Sequence, residues 1–71
     1  MEKDLNELNA LMNIVWKEMH SNGLNFERLG RLSNVRSETI RSWYNEKSKP
    51  SLFYLIPVLR ALGLKITIDK E

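Results

Sequence analysis

The side chains with most chemistry to offer are gathered in one stretch. Between positions 36 and 49 lie Arg36, Ser37, Glu38, Arg41, Ser42, Asn45, Lys47 and Lys49. Arginine and lysine bind phosphate oxygens. Arginine can also donate two parallel N–H bonds to guanine, while serine, asparagine and glutamate pair with base edges. At 3.6 residues per turn, Ser37, Glu38, Arg41, Ser42 and Asn45 share one side of a helix and leave Ile40 and Trp43 on the other. Such a face suits a nucleic acid. An ordinary solvated surface has the same composition, so the surrounding elements must decide between the two.

Other chemistries lack their residues. There is no cysteine and a single histidine, His20, whereas a metal site needs several ligands. No glycine-rich phosphate loop or pair of carboxylates in a plausible pocket is evident, so neither a catalytic residue nor a cofactor or metal is expected. His20 reads as a surface residue near the end of a helix.

The elements that would carry the polar face follow from the apolar spacing. Leu5, Leu8, Met12, Val15, Trp16 and Met19 mark an amphipathic helix over 4–21, stopped by Asn22-Gly23. Asn25 is an N-cap for a second helix with Phe26, Leu29 and Leu32 on its inner side. Asn34 breaks that pattern. A third helix is expected from about Ser37 to Glu46, and Lys47 to Pro50 is a polar loop. Ser51 can cap a fourth helix carrying Leu52, Leu55, Ile56, Leu59 and Leu62, closed by Gly63. Pro57 inside it removes one backbone donor, which predicts a kink or a tighter first turn rather than loss of the helix. Phe53 and Tyr54 lie beside the buried stripe, as core or dimer packing or as a docking patch for another protein. After Gly63 the period changes to two. Leu64, Ile66 and Ile68 alternate with polar residues, predicting a short strand over 64–69. A lone strand needs a partner, and no other segment resembles one. The expected partner is the same strand of a second copy, with Leu64, Ile66 and Ile68 in the dimer seam.

Composition agrees with that expectation. Seventy-one residues form one domain of marginal stability that disulfides cannot staple, which leaves oligomerisation as the remedy. No apolar run approaches a membrane span, and the polar start Met1-Glu2-Lys3-Asp4 is unlike a signal peptide, so a cytoplasmic location is expected. Residues 1–22 carry Lys3 and Lys17 against Glu2, Asp4, Glu7 and Glu18, a balance of −2. Residues 23–50 carry Arg28, Arg31, Arg36, Arg41, Lys47 and Lys49 against Glu27, Glu38 and Glu46, a balance of +3. The basic excess coincides with the polar face and points weakly to nucleic acid.

Residues 26–46 also have the pattern of a helix-turn-helix, with steric reasons for each position. Leu29 fills the space beneath the motif, Gly30 sits where the helices cross closely, and Asn34 takes the turn position that needs a positive φ. Val35, Ile40 and Trp43 pack the third helix onto the rest. From Leu29-Gly-Arg-Leu-Ser-Asn-Val-Arg-Ser-Glu-Thr-Ile-Arg-Ser-Trp-Tyr-Asn-Glu-Lys-Ser-Lys-Pro-Ser-Leu52 to Ala61-Leu-Gly63, the chain resembles the Cro and lambda-type repressor family. Val35, Thr39, Ile40, Trp43, Lys47, Pro50, Ser51 and Leu52 fall in register over a match spanning about residues 10–68. The tail at 64–69 resembles that of antitoxins paired with persistence kinases, in which such strands pair across a dimer.

The resemblance implies a mostly α, four- or five-helix lambda-repressor-like domain with a short C-terminal strand pairing across a homodimer. It implies a bacterial or phage regulator, cytoplasmic and nucleoid-associated, that binds double-stranded DNA at an inverted-repeat operator and represses its own operon. The alternative it implies is an antitoxin that also binds a toxin protein. Ser37, Glu38, Arg41 and Ser42 would contact bases. Asn25, Arg36, Asn45, Lys47 and Lys49 would contact phosphates, Asn25 serving also as a cap. Glu38 near a helix N-terminus equally suits the helix dipole. Three departures from the pattern stand out. Arg36 replaces the usual Ser/Thr cap, Tyr44 a common Glu, and Glu46 the Gly that usually ends the recognition helix.

Overall fold

The computed structural model of the chain describes residues 2–65 and 67, with side chains from residue 7 onward. Four helices are present among them: α1 (Glu2–Ser21), α2 (Phe26–Ser33), α3 (Ser37–Tyr44) and α4 (Leu52–Ala61). Leu5, Ile66, Ile68 and Asp69, which enter the sequence reading above, lie outside the described side chains, so the strand expected at 64–69 falls largely beyond them. No described helix is long and apolar enough to cross a membrane.

The core is one cluster to which every helix contributes. Met12 and Val15 come from α1, Leu29 from α2, Val35 from the turn, and Ile40 and Trp43 from α3; Leu55, Val58 and Leu59 come from α4, with Leu62 just beyond it. The most extensive helix–helix contacts are α2 with α3 and α2 with α4, so α2 packs on both. Burying side chains such as Leu29, Ile40 and Leu55 stabilises the fold by roughly 1.5–3 kcal/mol each. Ser33 is the one polar residue buried with them among those described. Its hydroxyl donates to the Leu29 carbonyl at 2.7 Å, which satisfies the donor without leaving the helix.

Three residues expected inside are on the surface. Leu32 is 58% exposed, Leu52 64% and Ile56 39%, while Val58, absent from the expected stripe, is fully buried. The cause in α4 is plain. Every residue from Leu52 to Ala61 except Arg60 is apolar or aromatic, so periodicity cannot tell its inner side from its outer. Phe53 and Tyr54 are likewise exposed, which removes the core reading for both.

Each helix ends on a left-handed residue, one position beyond the C-cap in α1, α3 and α4 and at the C-cap itself in α2, and the next backbone N–H reaches back five residues. Leu24 donates to Met19 at 3.0 Å, Val35 to Gly30 at 3.1 Å, Lys47 to Ser42 at 2.8 Å and Leu64 to Leu59 at 2.8 Å. The left-handed residues are Gly23, Asn34, Glu46 and Gly63, with φ between 58° and 75°. Thus α3 stops at Tyr44, two residues short of the expected Glu46, because Glu46 is the reversal itself. Pro57 leaves α4 helical. The first turn is α-helical, the Leu55 N–H donating to the Ser51 carbonyl at 2.8 Å and the Tyr54 N–H sharing that oxygen at 3.2 Å, as at the start of α3. Ser51 occupies the N-cap position without a side-chain capping bond.

Candidate nucleic-acid interface

The relation between α2 and α3 is set by a backbone contact. A Cβ at Gly30 would lie 2.7 Å from the Val35 carbonyl oxygen and 3.2 Å from the Ser37 nitrogen. Both are backbone atoms that cannot swing away, so the helices approach this closely only over a glycine. Asn34 makes the turn at φ 60°, the left-handed region that asparagine tolerates better than other non-glycine residues. The Asn25 side chain caps α2, its Oδ1 accepting from the Arg28 N–H at 2.8 Å. That leaves the Asn25 amide N–H groups available to donate outward.

On α3, Ile40 and Trp43 are buried and Glu38, Arg41 and Asn45 are exposed together on the opposite side, with Ser37 half-buried at the start. Arg36 occupies the N-cap position with no side-chain capping bond, and its carbonyl receives the Thr39 and Ile40 N–H groups at 3.0 and 3.2 Å. The cap here is weak: Ser37 is already the first helical residue, and the Arg36 side chain caps nothing. A groove at this end brings Arg36 and Ser37 together with Glu27, Arg31 and Asn34. Arg31 was not among the expected contacts; the sequence placed it in the basic excess of residues 23–50 without giving it a role. A second groove lies at the other end of α3, between α1 and the loop, lined in part by Asn9, Asn13, Tyr44, Ser48 and Lys49. Cationic side chains therefore stand at both ends of α3, Arg36 and Arg31 at one and Lys49 at the other. Lys47 is exposed in the same loop.

Ser42 is placed differently from its neighbours. It is half-buried, and its hydroxyl donates to the Thr39 carbonyl at 2.7 Å. Its oxygen lies 2.6 Å from the Ser48 hydroxyl, which must then be the donor, because a serine has one hydrogen to give. Ser42 thus ties the loop to α3 and has no donor left for a base, although it retains acceptor capacity.

Arg41 is held from the side. Its guanidinium carbon lies 5.5 Å from the centroid of the Phe26 ring, within cation–π range. Phe26 belongs to a cluster of three edge-on rings, 6.2 Å from Trp16 and 5.4 Å from Tyr44, with Trp16 and Tyr44 5.3 Å apart. Rings meeting edge to face are favoured by their quadrupoles. The cluster links α1, α2 and α3, so the unusual Tyr44 packs between helices with its ring half exposed. Trp16, from the apolar stripe of α1, packs here against the core. The sequence marked Phe26 as a core residue but had no way to show that it would also carry Arg41.

Comparison with known protein families, with characterised proteins and with solved structures finds no match to this chain.

Proposed function

We propose that this chain is a sequence-specific double-stranded DNA-binding regulator of the Cro and lambda-repressor type, acting as a cytoplasmic, nucleoid-associated homodimeric repressor. One observation carries the reading. The Gly30 contact and the Asn34 reversal hold α3 against α2 with Glu38, Arg41 and Asn45 turned outward together and cations at both ends. A helix presented so can enter a major groove, its polar face toward base edges and its ends toward the phosphates of either strand.

Arg41 is the principal base reader, bidentate to guanine and steadied by Phe26. Glu38 accepts from cytosine, and Ser37 is the remaining donor near the helix start. Arg36, Arg31, Asn25, Asn45, Lys47 and Lys49 contact phosphates. Ser42 positions the Lys47–Lys49 loop and offers bases only an acceptor. The dimer spans an inverted repeat with half-sites about 34 Å apart, and the strand over 64–69 pairs across the two-fold axis. No catalytic step, metal or cofactor has a role. The antitoxin alternative adds a protein partner to the same DNA-binding body.

Selection of bound fragments from random DNA, followed by titration of the best sequence, tests the proposal. An inverted repeat should emerge, and Arg41→Ala should cost about 1–3 kcal/mol on it while relaxing preference at one base pair per half-site. The slope of log K against log salt should be about −5 to −7 for a dimer with three or four phosphate contacts per subunit. No enrichment of any sequence, with no salt-sensitive binding to random duplex, would refute DNA binding.

A further inference from the structure

The three-ring cluster does more than join helices. Trp16, Phe26 and Tyr44 also line an open groove of about 920 Å³, a volume within the range of small-molecule sites. The rings meet edge to face, and three such contacts cover at most three of their six faces. Tyr44 is 52% exposed, and Ile14, in the same groove, 50%. This apolar surface is used neither by the core nor by the proposed DNA contacts. Donors stand around the rings. Lys17 and His20 of α1 and the Asn25 amide line the groove, all three exposed, and no carboxylate lines it among the described residues. Trp16 and His20 are four residues apart, Lys17 and His20 three, so α1 carries ring, ammonium and imidazole on one side.

We propose that this groove binds a small planar aromatic acid, and that such a ligand releases the protein from DNA. The rings take the flat body by stacking, and Lys17, His20 and Asn25 donate to the carboxylate. A cationic ligand would meet no counter-charge, and a flexible alkyl chain would gain nothing from flat ring faces. The regulatory half rests on the DNA-binding reading, because two groove residues belong to that interface. Phe26 also holds Arg41, whose guanidinium carbon lies 5.5 Å from its ring centroid, and Asn25 is a phosphate donor there. A carboxylate on the Asn25 amide takes the N–H groups that a phosphate needs and sets a negative charge beside the DNA backbone. Ligand and DNA therefore oppose each other, each lowering the other's affinity by the same factor.

The first test contains no DNA. 2-Naphthoate is titrated into the full chain and followed by calorimetry and by NMR of the backbone and indole N–H groups, beside neutral 2-naphthamide and flexible decanoate. 2-Naphthoate should bind with a dissociation constant of about 1 mM or tighter, and each of the other two at least about threefold more weakly. The two tryptophans locate it. The Trp16 indole N–H should shift, whereas that of Trp43, buried and outside this groove, should move little. Lys17→Glu, at an exposed position, should weaken 2-naphthoate about fivefold and leave 2-naphthamide unchanged; circular dichroism verifies that the variant keeps its helices. No binding of 2-naphthoate would overturn the site. So would an amide or decanoate that binds as well, shifts centred away from Trp16 and Phe26, or a Lys17→Glu variant that binds the acid as before or loses acid and amide alike.

The second test adds the selected operator. At about ten times its own dissociation constant, 2-naphthoate should raise that of the operator about tenfold or more over an equal concentration of sodium chloride. Operator affinity left unchanged or increased by bound 2-naphthoate would overturn the regulatory half. The two readings fail separately. A chain that binds 2-naphthoate but selects no DNA keeps the site and loses its regulatory role together with DNA binding. A chain that binds its operator but not 2-naphthoate keeps DNA binding and loses the site.

Discussion

The outer faces of α3 and α4 make an instructive pair. Both helices pack on α2, and both bury Ile, Leu, Val or Trp side chains inward. Outward, α3 shows Glu38, Arg41 and Asn45, while α4 shows Leu52, Phe53 and Ile56. A polar exposed face is satisfied by water and would exist without a partner. A phenylalanine left 79% exposed gains nothing from solvent and needs another reason. The α3 face therefore becomes informative only through its geometry, the α4 face through its composition.

Four substitutions break or sharpen the contrast, from the largest effect to the smallest. Ile40→Ala empties a fully buried site beneath the polar face. It should cost about 2–5 kcal/mol in chemical denaturation, and the polar face, however intact in sequence, should lose DNA with it. A cost below 1 kcal/mol would mean that α3 is not held by this core. Phe26→Leu keeps the apolar contact but removes the ring under Arg41 and one edge-on partner of Trp16 and Tyr44. It should weaken binding to the selected operator by about 0.5–1 kcal/mol, the value of an exposed cation–π contact. In an Arg41→Ala background the same change should have no further effect on DNA affinity; equal losses in both backgrounds would show that Phe26 acts on the fold alone.

The smallest effect separates the helix ends. Gly23 and Gly63 reverse the chain after α1 and α4, whereas Asn34 and Glu46, which carry side chains, do so on either side of α3. Glu46→Gly should stabilise the protein by about 0.5–1 kcal/mol, because any Cβ is strained at φ 58°. Asn34→Gly should gain no more than a few tenths, since asparagine bears that conformation more easily. Thermal denaturation of the two variants side by side decides the point, and equal gains would contradict the strain argument.

Much of this was legible in the residues. The helix-turn-helix positions announced themselves because each answers to a local steric demand. Gly30 must be small, Asn34 must turn, and Leu29, Ile40 and Trp43 must pack, all of which a linear pattern can show. Asn25 declared itself as a cap for the same reason. What stayed hidden depended on surfaces rather than spacing. In α4 an almost wholly apolar helix concealed which side faces inward, so Leu52 and Ile56 were misassigned and Val58 overlooked. The Ser42–Ser48 contact joins a helix to a loop whose path no periodicity describes. Phe26 beneath Arg41 joins the first turn of one helix to the middle of the next, across a distance in sequence that only their packing closes.

The central position of α2 has a further consequence. It touches both α3, the helix that would read bases, and α4, and it is only eight residues long. A rigid connector of that kind acts as a ruler: the tilt of α3 on α2, fixed at Gly30, translates into the reach of one half of the dimer, and the two-fold axis doubles it. For the proposed dimer on an inverted repeat, the spacer length would then be set by the packing of a single small residue. Variants that tolerate a larger side chain at position 30 should be recovered on inverted repeats whose halves stand at a different separation, with the base preference within each half unchanged.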